Sequence, residues 1–353
     1  MPSNKLVIGL IFGGKSSEHE VSIKSARNIF HALNSSENKK YFITIPIYID
    51  NSGFWWDFKS SKSIILKNEN ALIYNSSEEE LSNKLINLHI LNEKIDIWFP
   101  ALHGPNGEDG AIQGFFKLSG KPFVGSGILG SSLGMDKIAM KSIFKSFNLP
   151  QAPYISLEKK DIKNKNYMKS LIRNIVREIN YPCFIKPANL GSSIGITKAY
   201  TEKELLNGID KAADFDERII IEKHINGREL ECAILGKSIM NTSVIGEVKF
   251  QSDWFNYETK YNEGQSETTI PANLNNEISY NLKILAIQAC KAINAYGLAR
   301  VDFFYEESTQ KLYINEVNTL PGFTNTSMYP MLWEASGLKL EKLVASLIET
   351  ARE

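Results

Sequence analysis

The sequence predicts a multidomain fold that is α/β at its N-terminal end and α+β beyond it. Three observations carry this reading. The chain has 353 residues, enough for about two or three compact domains. Its first third alternates short apolar runs with helix-spaced segments, the pattern of a parallel sheet wrapped by helices. Its last third holds two apolar segments on either side of a polar turn, the pattern of antiparallel strands. The divisions fall at 1–125 for an N-terminal α/β unit, 126–226 for a central unit and 227–353 for a C-terminal unit.

Taken in order, residues 6–12 read as a strand, 13–20 as a loop and 21–33 as a helix. Strands follow at 41–49, 95–102 and, briefly, 122–124, while the polar stretch 60–82 is expected to be exposed. In the central unit, residues 135–147 have helix spacing that Pro150 and Pro153 bring to an end. A second helix at 170–178 stops before Tyr181 and Pro182. Residues 183–186 form an apolar strand, 189–195 a glycine and serine loop, and Ile219, Ile220 and Ile221 a further strand. The C-terminal unit contributes a long helix at 278–296 and a hairpin at 299–318.

Charge and cysteine content narrow the partners. Lys plus Arg equals Asp plus Glu at 40 each, so no overall positive field favours nucleic acid or an anionic membrane. Small molecules are the expected partners. Cys183, Cys232 and Cys290 are odd in number and lie in apolar contexts, which suits reduced core thiols and a cytoplasmic setting. The apolar run at 6–12 is too short and too poorly flanked for a signal peptide, and no run approaches the ~20 apolar residues of a membrane span.

Two places need a chemical reason. Lys186 ends an apolar strand just before Gly191, Ser192, Ser193 and Gly195. A half-buried ammonium calls for an anionic partner, and loop glycines leave backbone N–H groups free to approach phosphate oxygens. The alternative is a lysine snorkelling to solvent beside an ordinary loop. Neither a Walker loop nor a dinucleotide-binding glycine pattern is present. In the hairpin, side chains two apart share a face, so Arg300 and Asp302 lie together, as do Glu316 and Asn318. A register that sets Asp302 against Glu316 places Arg300 opposite Asn318. Two facing carboxylates repel unless a cation lies between them, and magnesium, which favours oxygen ligands, suits the place. A solvated strand face is the alternative.

The ordered segments resemble the ATP-grasp superfamily and, within it, the D-alanine-D-alanine ligase family. The resemblance is carried by 12–22 (FGGKSSEHEVS), His103 and Gly104 with 107–110 (GEDG), and Met135, Asp136 and Lys137. It continues through Lys186 and Pro187, Gly191 to Ser193, Glu222 and Lys223, Lys260 and Tyr261, Arg300 to Asp302, Asn315 to Thr319, and 321–328. These segments span nearly the whole chain. The resemblance implies an ATP-grasp fold of two subdomains after the N-terminal domain, with ATP held between them. It also implies ATP and two magnesium ions as cofactors, manganese as a substitute, D-alanine as substrate and a homodimer.

Residue by residue, the resemblance implies that Lys137 and Lys186 neutralise ATP phosphates beneath a loop containing Ser192 and Ser193. It places adenine against the stretch 222–225, with Glu222, Lys223 and Ile225, and the ribose on Glu229; Lys260 and Asn315 complete the nucleotide site. Asp302, Glu316 and Asn318 would bind the metals. Glu18, linked to Ser192 and Tyr261, would receive the ammonium of the first D-alanine, and Ser327 with the Met328 backbone the second carboxylate. Arg300 and the Gly322 N–H would hold the tetrahedral oxyanion. His103 would lie near the first substrate, and whether it transfers a proton is left open. Lys260 followed by Tyr261 speaks against a sister ligase using D-lactate or D-serine. Glu18 and Ser327 speak against another acid and amine. A silent ATP-binding module would lack Arg300, Asp302, Glu316 or Asn318, and all four are present.

Overall fold

The computed structural model describes residues 5–67, 88–191, 194–250 and 266–353. In the N-terminal unit, β1 (Leu6–Gly13) lies between β2 (Phe42–Ile49) and β3 (Ile97–Leu102), and both pairings are parallel. The helix α1 (His19–Leu33) buries Ile23, Ala26, Ile29, Phe30 and Leu33, a three-and-four spacing that turns one stripe to the sheet. The expectation of exposure at 60–82 is corrected in part by α2 (Phe58–Lys67), because Ile64 and Ile65 enter the core and Ser61 accepts from the Tyr48 N–H. Residues 68–82 lie outside the described residues. After α3 (Leu88–Lys94) come α4 (Ala111–Ser119), α5 (Ile128–Met135) and α6 (Lys137–Ser146). The helix read at 135–147 is α6, which starts two residues later because Asp136 caps it by accepting from the Ala139 N–H at 2.8 Å.

The second sheet is antiparallel throughout, in the order β4 (Tyr154–Glu158), β7 (Arg218–Lys223), β5 (Cys183–Pro187), β6 (Thr197–Ala199). Its covering helices are α7 (Lys165–Glu178) and α8 (Glu202–Ala213). Asn164 caps α7 and starts it earlier than the apolar spacing indicated, while Thr201 and Glu204 close a capping box on α8.

The third sheet runs β10 (Ser266–Thr269), β9 (Asn241–Phe250), β8 (Arg228–Gly236), β11 (Gly297–Glu306), β12 (Lys311–Asn318), again antiparallel. Beside it stand α9 (Asn276–Ala292), α10 (Met328–Ala335) and α11 (Leu340–Ala351). Met140 and Phe144 of α6 join Cys232, Val301, Phe303 and Ile314 in this sheet's core. A segment assigned by sequence to the central unit therefore packs on the C-terminal one. Tyr329, Leu332, Trp333, Leu343 and Leu347 of α10 and α11 share a core with Phe12 and Ile29 of the first unit. The two ends of the chain are joined by this apolar contact. Cys183, Cys232 and Cys290 are free and buried, and no helix among the described residues is long and apolar enough to cross a membrane.

Candidate active site

The hairpin register is the one assumed from the sequence: Arg300 faces Asn318 and Asp302 faces Glu316. Along β11, Ala299, Val301 and Phe303 are buried while Arg300 and Asp302 are only partly so, so alternation sends the two charged groups to the face away from the core. Asp302 also faces Glu231 of β8. Glu231, Asp302 and Glu316 thus form a row of carboxylates across three adjacent strands. A bulge follows this row, and Asn315 is the extra residue between the Asp302/Glu316 and Phe303/Ile314 pairs.

Arg300 is the cation nearest that row. Its Nε and Nη2 donate to Asp302 Oδ1 and Oδ2 at 2.7 and 2.6 Å, and Nε lies 2.9 Å from Glu231 Oε2. Burial opposes its charge, but Asp302 and Glu231 outweigh burial and hold its pKa well above the ordinary value. Glu229 occupies the next position on the same face of β8. Its pKa is pushed up to about 7, first by burial and then by Asp302.

Among the described residues no group of three His, Cys, Asp or Glu side chains could hold a metal by itself. Asp302, Glu316 and Asn318 supply two carboxylates and an amide oxygen, and the Asn318 oxygen also accepts from the Leu320 N–H at 3.0 Å. That set fits a divalent ion that completes its shell with phosphate oxygens and water, as magnesium commonly does.

The opposite wall carries the lysines. Lys186 of β5 donates to Glu222 Oε2 at 2.6 Å, while Lys141 of α6 places Nζ 3.1 Å from Glu222 Oε1, an ion pair without an aligned hydrogen bond. Burial would raise the Glu222 pKa, but the two lysines outweigh it and hold the carboxyl down at about 2. Burial lowers the pKa of Lys141. For Lys186, burial pulls down and Glu222 more than compensates. Lys186 therefore has a protein partner rather than reaching to solvent. Two lysines around one carboxylate leave this buried cluster one positive charge in excess. Lys137 links the walls: Nζ donates to the Leu190 carbonyl at 2.7 Å and lies 3.9 Å from Glu316 Oε2.

Glu18 stands at the third side. Its Oε2 would lie 2.7 Å from a Cβ at Gly104 and 3.4 Å from one at Gly191. A Cβ at Gly104 would make the carboxylate shift, whereas one at Gly191 would meet it at ordinary contact distance. Gly322 lies against Ser327, whose Oγ would be 2.8 Å from a Cβ there and which accepts from the Thr324 N–H at 3.0 Å. Ser327 precedes the first turn of α10, where the Met328 N–H belongs to the helix end that favours anions. Lys223 is exposed at the end of β7, and Ile225, just beyond it, is buried. The expectations for Ser192, Ser193, Lys260 and Tyr261 fall outside the described residues, as does the segment 251–265, whose charged and polar make-up suits a lid over bound ATP.

Sequence reading missed Lys141 and Glu231. Each had a legible signal, since Lys141 is four residues after Lys137 on one helix and Glu231 two after Glu229 on one strand.

A parallel α/β unit and two antiparallel sheets, with Lys186 on one and the row of Asp302 and Glu316 on the other, have the architecture of an ATP-grasp enzyme. Comparison with known proteins narrows the class. Residues 7–126 match the family model for the D-ala D-ala ligase N-terminus and residues 143–349 that for the C-terminus. A D-alanine--D-alanine ligase of Prochlorococcus marinus (strain NATL1A) is 67% identical over 353 residues, covering 100% of both chains. The solved VanG D-Ala:D-Ser ligase of Enterococcus faecalis is similar at 34% identity with a TM-score of 0.83, covering 99% of this chain and 100% of that one. The D-alanine-D-alanine ligase of Coxiella burnetii follows at 32% identity and a TM-score of 0.79, with 99% and 94% covered. The chain belongs to the D-alanine-D-alanine ligase family.

Proposed function

We infer that this chain ligates two D-alanines with ATP, through a D-alanyl phosphate, and releases ADP and phosphate. Lys137 is the observation that carries the reading: it reaches from Leu190 of the loop to Glu316 of the carboxylate row. A triphosphate running along that path would meet cations at one end and a metal-binding oxygen set at the other.

A carboxylate is a poor acyl donor, so its oxygen first attacks the γ-phosphorus and ADP leaves. Lys137 and Lys186 offset the phosphate charge, because phosphoryl transfer depends on positioning and electrostatics. Arrival of the triphosphate gives Lys186 an alternative to Glu222 and offsets the excess charge of the lysine cluster. Asp302, Glu316 and Asn318 would hold magnesium, with manganese as a substitute, and the metal would neutralise charge on the phosphates. Glu18 receives the ammonium of the first D-alanine, while Ser327 and the Met328 N–H receive the second carboxylate. The amine of the second D-alanine then attacks the acyl carbon, and as the tetrahedral oxyanion collapses the C–O bond to phosphate breaks and hydrogen phosphate departs with the proton the amine gives up. Arg300 and the Gly322 N–H stabilise that oxyanion. Ser192, Ser193, Lys260, Tyr261, Glu229, Asn315 and Ile225 keep the nucleotide and lid roles that the resemblance assigns. The dipeptide serves cell-wall peptidoglycan precursor synthesis in the cytoplasm, and the enzyme acts as a homodimer.

Purified protein with ATP and magnesium should release phosphate in proportion to added D-alanine. Equal turnover with L-alanine, or with no amino acid, would refute the ligase reading. The likeness to VanG, whose name gives D-Ala:D-Ser ligase, supports a second reading with D-serine as nucleophile. Identity of 67% to a D-alanine--D-alanine ligase favours the first. Direct competition between D-alanine, D-serine and D-lactate, read as mixed products, decides between them.

A further inference from the structure

A polar chain crosses from the N-terminal unit to the loop at 320–323. The Leu320 carbonyl can only accept, so at 3.2 Å it assigns the proton of His103 to Nδ1. Nε2 is then a lone pair, and at 2.9 Å the Ser25 hydroxyl donates to it. Ser25 Oγ in turn accepts from the Phe323 N–H at 3.0 Å. Ser25 Oγ thus both donates and accepts, His103 Nδ1 also lies 3.6 Å from Glu108 Oε1, and the chain closes on both sides of Gly322. His103 and Ser25 are 4% and 0% exposed, so water does not compete for these bonds.

The helix α1 continues the contact. Ser22 Oγ accepts from the Gly13 N–H at 2.7 Å and donates to the Ala101 carbonyl at 2.5 Å. Asn28 Nδ2 donates to the Phe323 carbonyl at 2.8 Å. Ser22, Ser25 and Asn28 recur every three residues and so lie along one side of the helix. The same helix that fixes the end of the parallel sheet therefore also fixes the backbone around Gly322.

We propose that Ser25 and His103 are a positioning pair for the ligation step, holding the 320–323 loop so that the Gly322 N–H meets the tetrahedral oxyanion. The inference rests on the ligase reading. It gives His103 an orienting task through its bond to Ser25. Misplacing an oxyanion donor affects the second chemical step and spares the first. Displacements on the order of an ångström cost up to about a hundredfold in rate, so a Ser25→Ala variant should lose about ten- to a hundredfold in dipeptide kcat.

The test separates the two steps in purified full-length enzyme. D-alanine-dependent positional isotope exchange in ATP reads acyl phosphate formation, and dipeptide release reads ligation. Ser25→Ala should keep exchange and the KM for ATP within about threefold of wild type while ligation falls, and Ser25→Thr should restore most of the loss. Exchange and ligation falling together, or Ser25→Ala ligating like wild type, would overturn the proposal. Should Ser25→Ala lose its thermal transition, His103→Gln, whose side-chain amide can still bond Ser25, and His103→Ala are compared in the same two assays. Gln must then retain at least tenfold more ligation than Ala, and equal losses overturn the proposal. Wild-type enzyme without D-alanine-dependent phosphate release would instead remove the ligase reading itself.

Discussion

Lys141 and Glu222 form an ion pair at 3.1 Å in which the lysine is 1% and the glutamate 3% exposed. Lys186 holds the other oxygen of the same carboxylate at 2.6 Å. The cluster keeps a buried positive charge ready for an anion. A Lys141→Met variant should bind ATP about tenfold more weakly, which is ~1.4 kcal/mol, and show a smaller ATP-induced rise in Tm. Glu222→Gln leaves two buried lysines without their anion and should destabilise the free protein by about 3–5 kcal/mol. Calorimetric titration with ATP and thermal melts check both; unchanged ATP affinity in the methionine variant would remove Lys141 from the nucleotide site.

Arg300 grips Asp302 through two parallel bonds, a geometry that lysine does not reproduce. Arg300→Lys should lower kcat by roughly a hundred- to a thousandfold, the usual loss for one oxyanion donor, with a smaller change in the KM for ATP. Steady-state kinetics at saturating D-alanine measure this. A drop of less than about fivefold would mean that the guanidinium only braces the carboxylates.

In the proposed function Asp302 and Glu316 hold a divalent cation once the nucleotide is bound. Binding of manganese to the ADP complex, followed by its magnetic resonance signal, should weaken at least about tenfold in Asp302→Asn, since a neutral amide is a poorer ligand for a hard divalent ion. Chelation should stop phosphate release, and added magnesium should restore it. Manganese binding equal to wild type in the variant would place the metal elsewhere.

Glu229 gives a signed pH dependence. Its folded pKa of about 7 lies above the ordinary 4.5, so the folded state holds the proton more tightly between those values. Stability from this group is therefore undiminished below pH 4.5, falls as pH rises towards 7, and stays low above it. Glu229→Gln should flatten that loss, and its Tm relative to wild type should be higher at pH 8 than at pH 4.5. A difference independent of pH would show that Glu229 titrates normally.

Much of the site was legible before any coordinates. Period-two alternation put Arg300 with Asp302 and Glu316 with Asn318 on shared faces, and the register assumed between them is the one the strands adopt. The Lys186 ambiguity could not be resolved in this way. Its partner Glu222 lies 36 residues away on another strand, and local pattern carries no information about such a meeting. The start of α6 is placed two residues early because apolar spacing extends to Met135, whereas the capping bond at Asp136 that fixes the start depends on side-chain geometry.

The sequence alone determined the kinds of elements, the carboxylate hairpin and the resemblance to a ligase family, since periodicity and short motifs are local properties. Tertiary structure decided which distant groups share a charge and which loops are held. Lys141 meets Glu222, Lys137 spans Leu190 to Glu316, and Ser25 and His103 enclose the loop of Gly322. Those relationships depend on how three sheets and the terminal helices pack, and burial then gives each polar contact its energy by removing the water that would otherwise replace it.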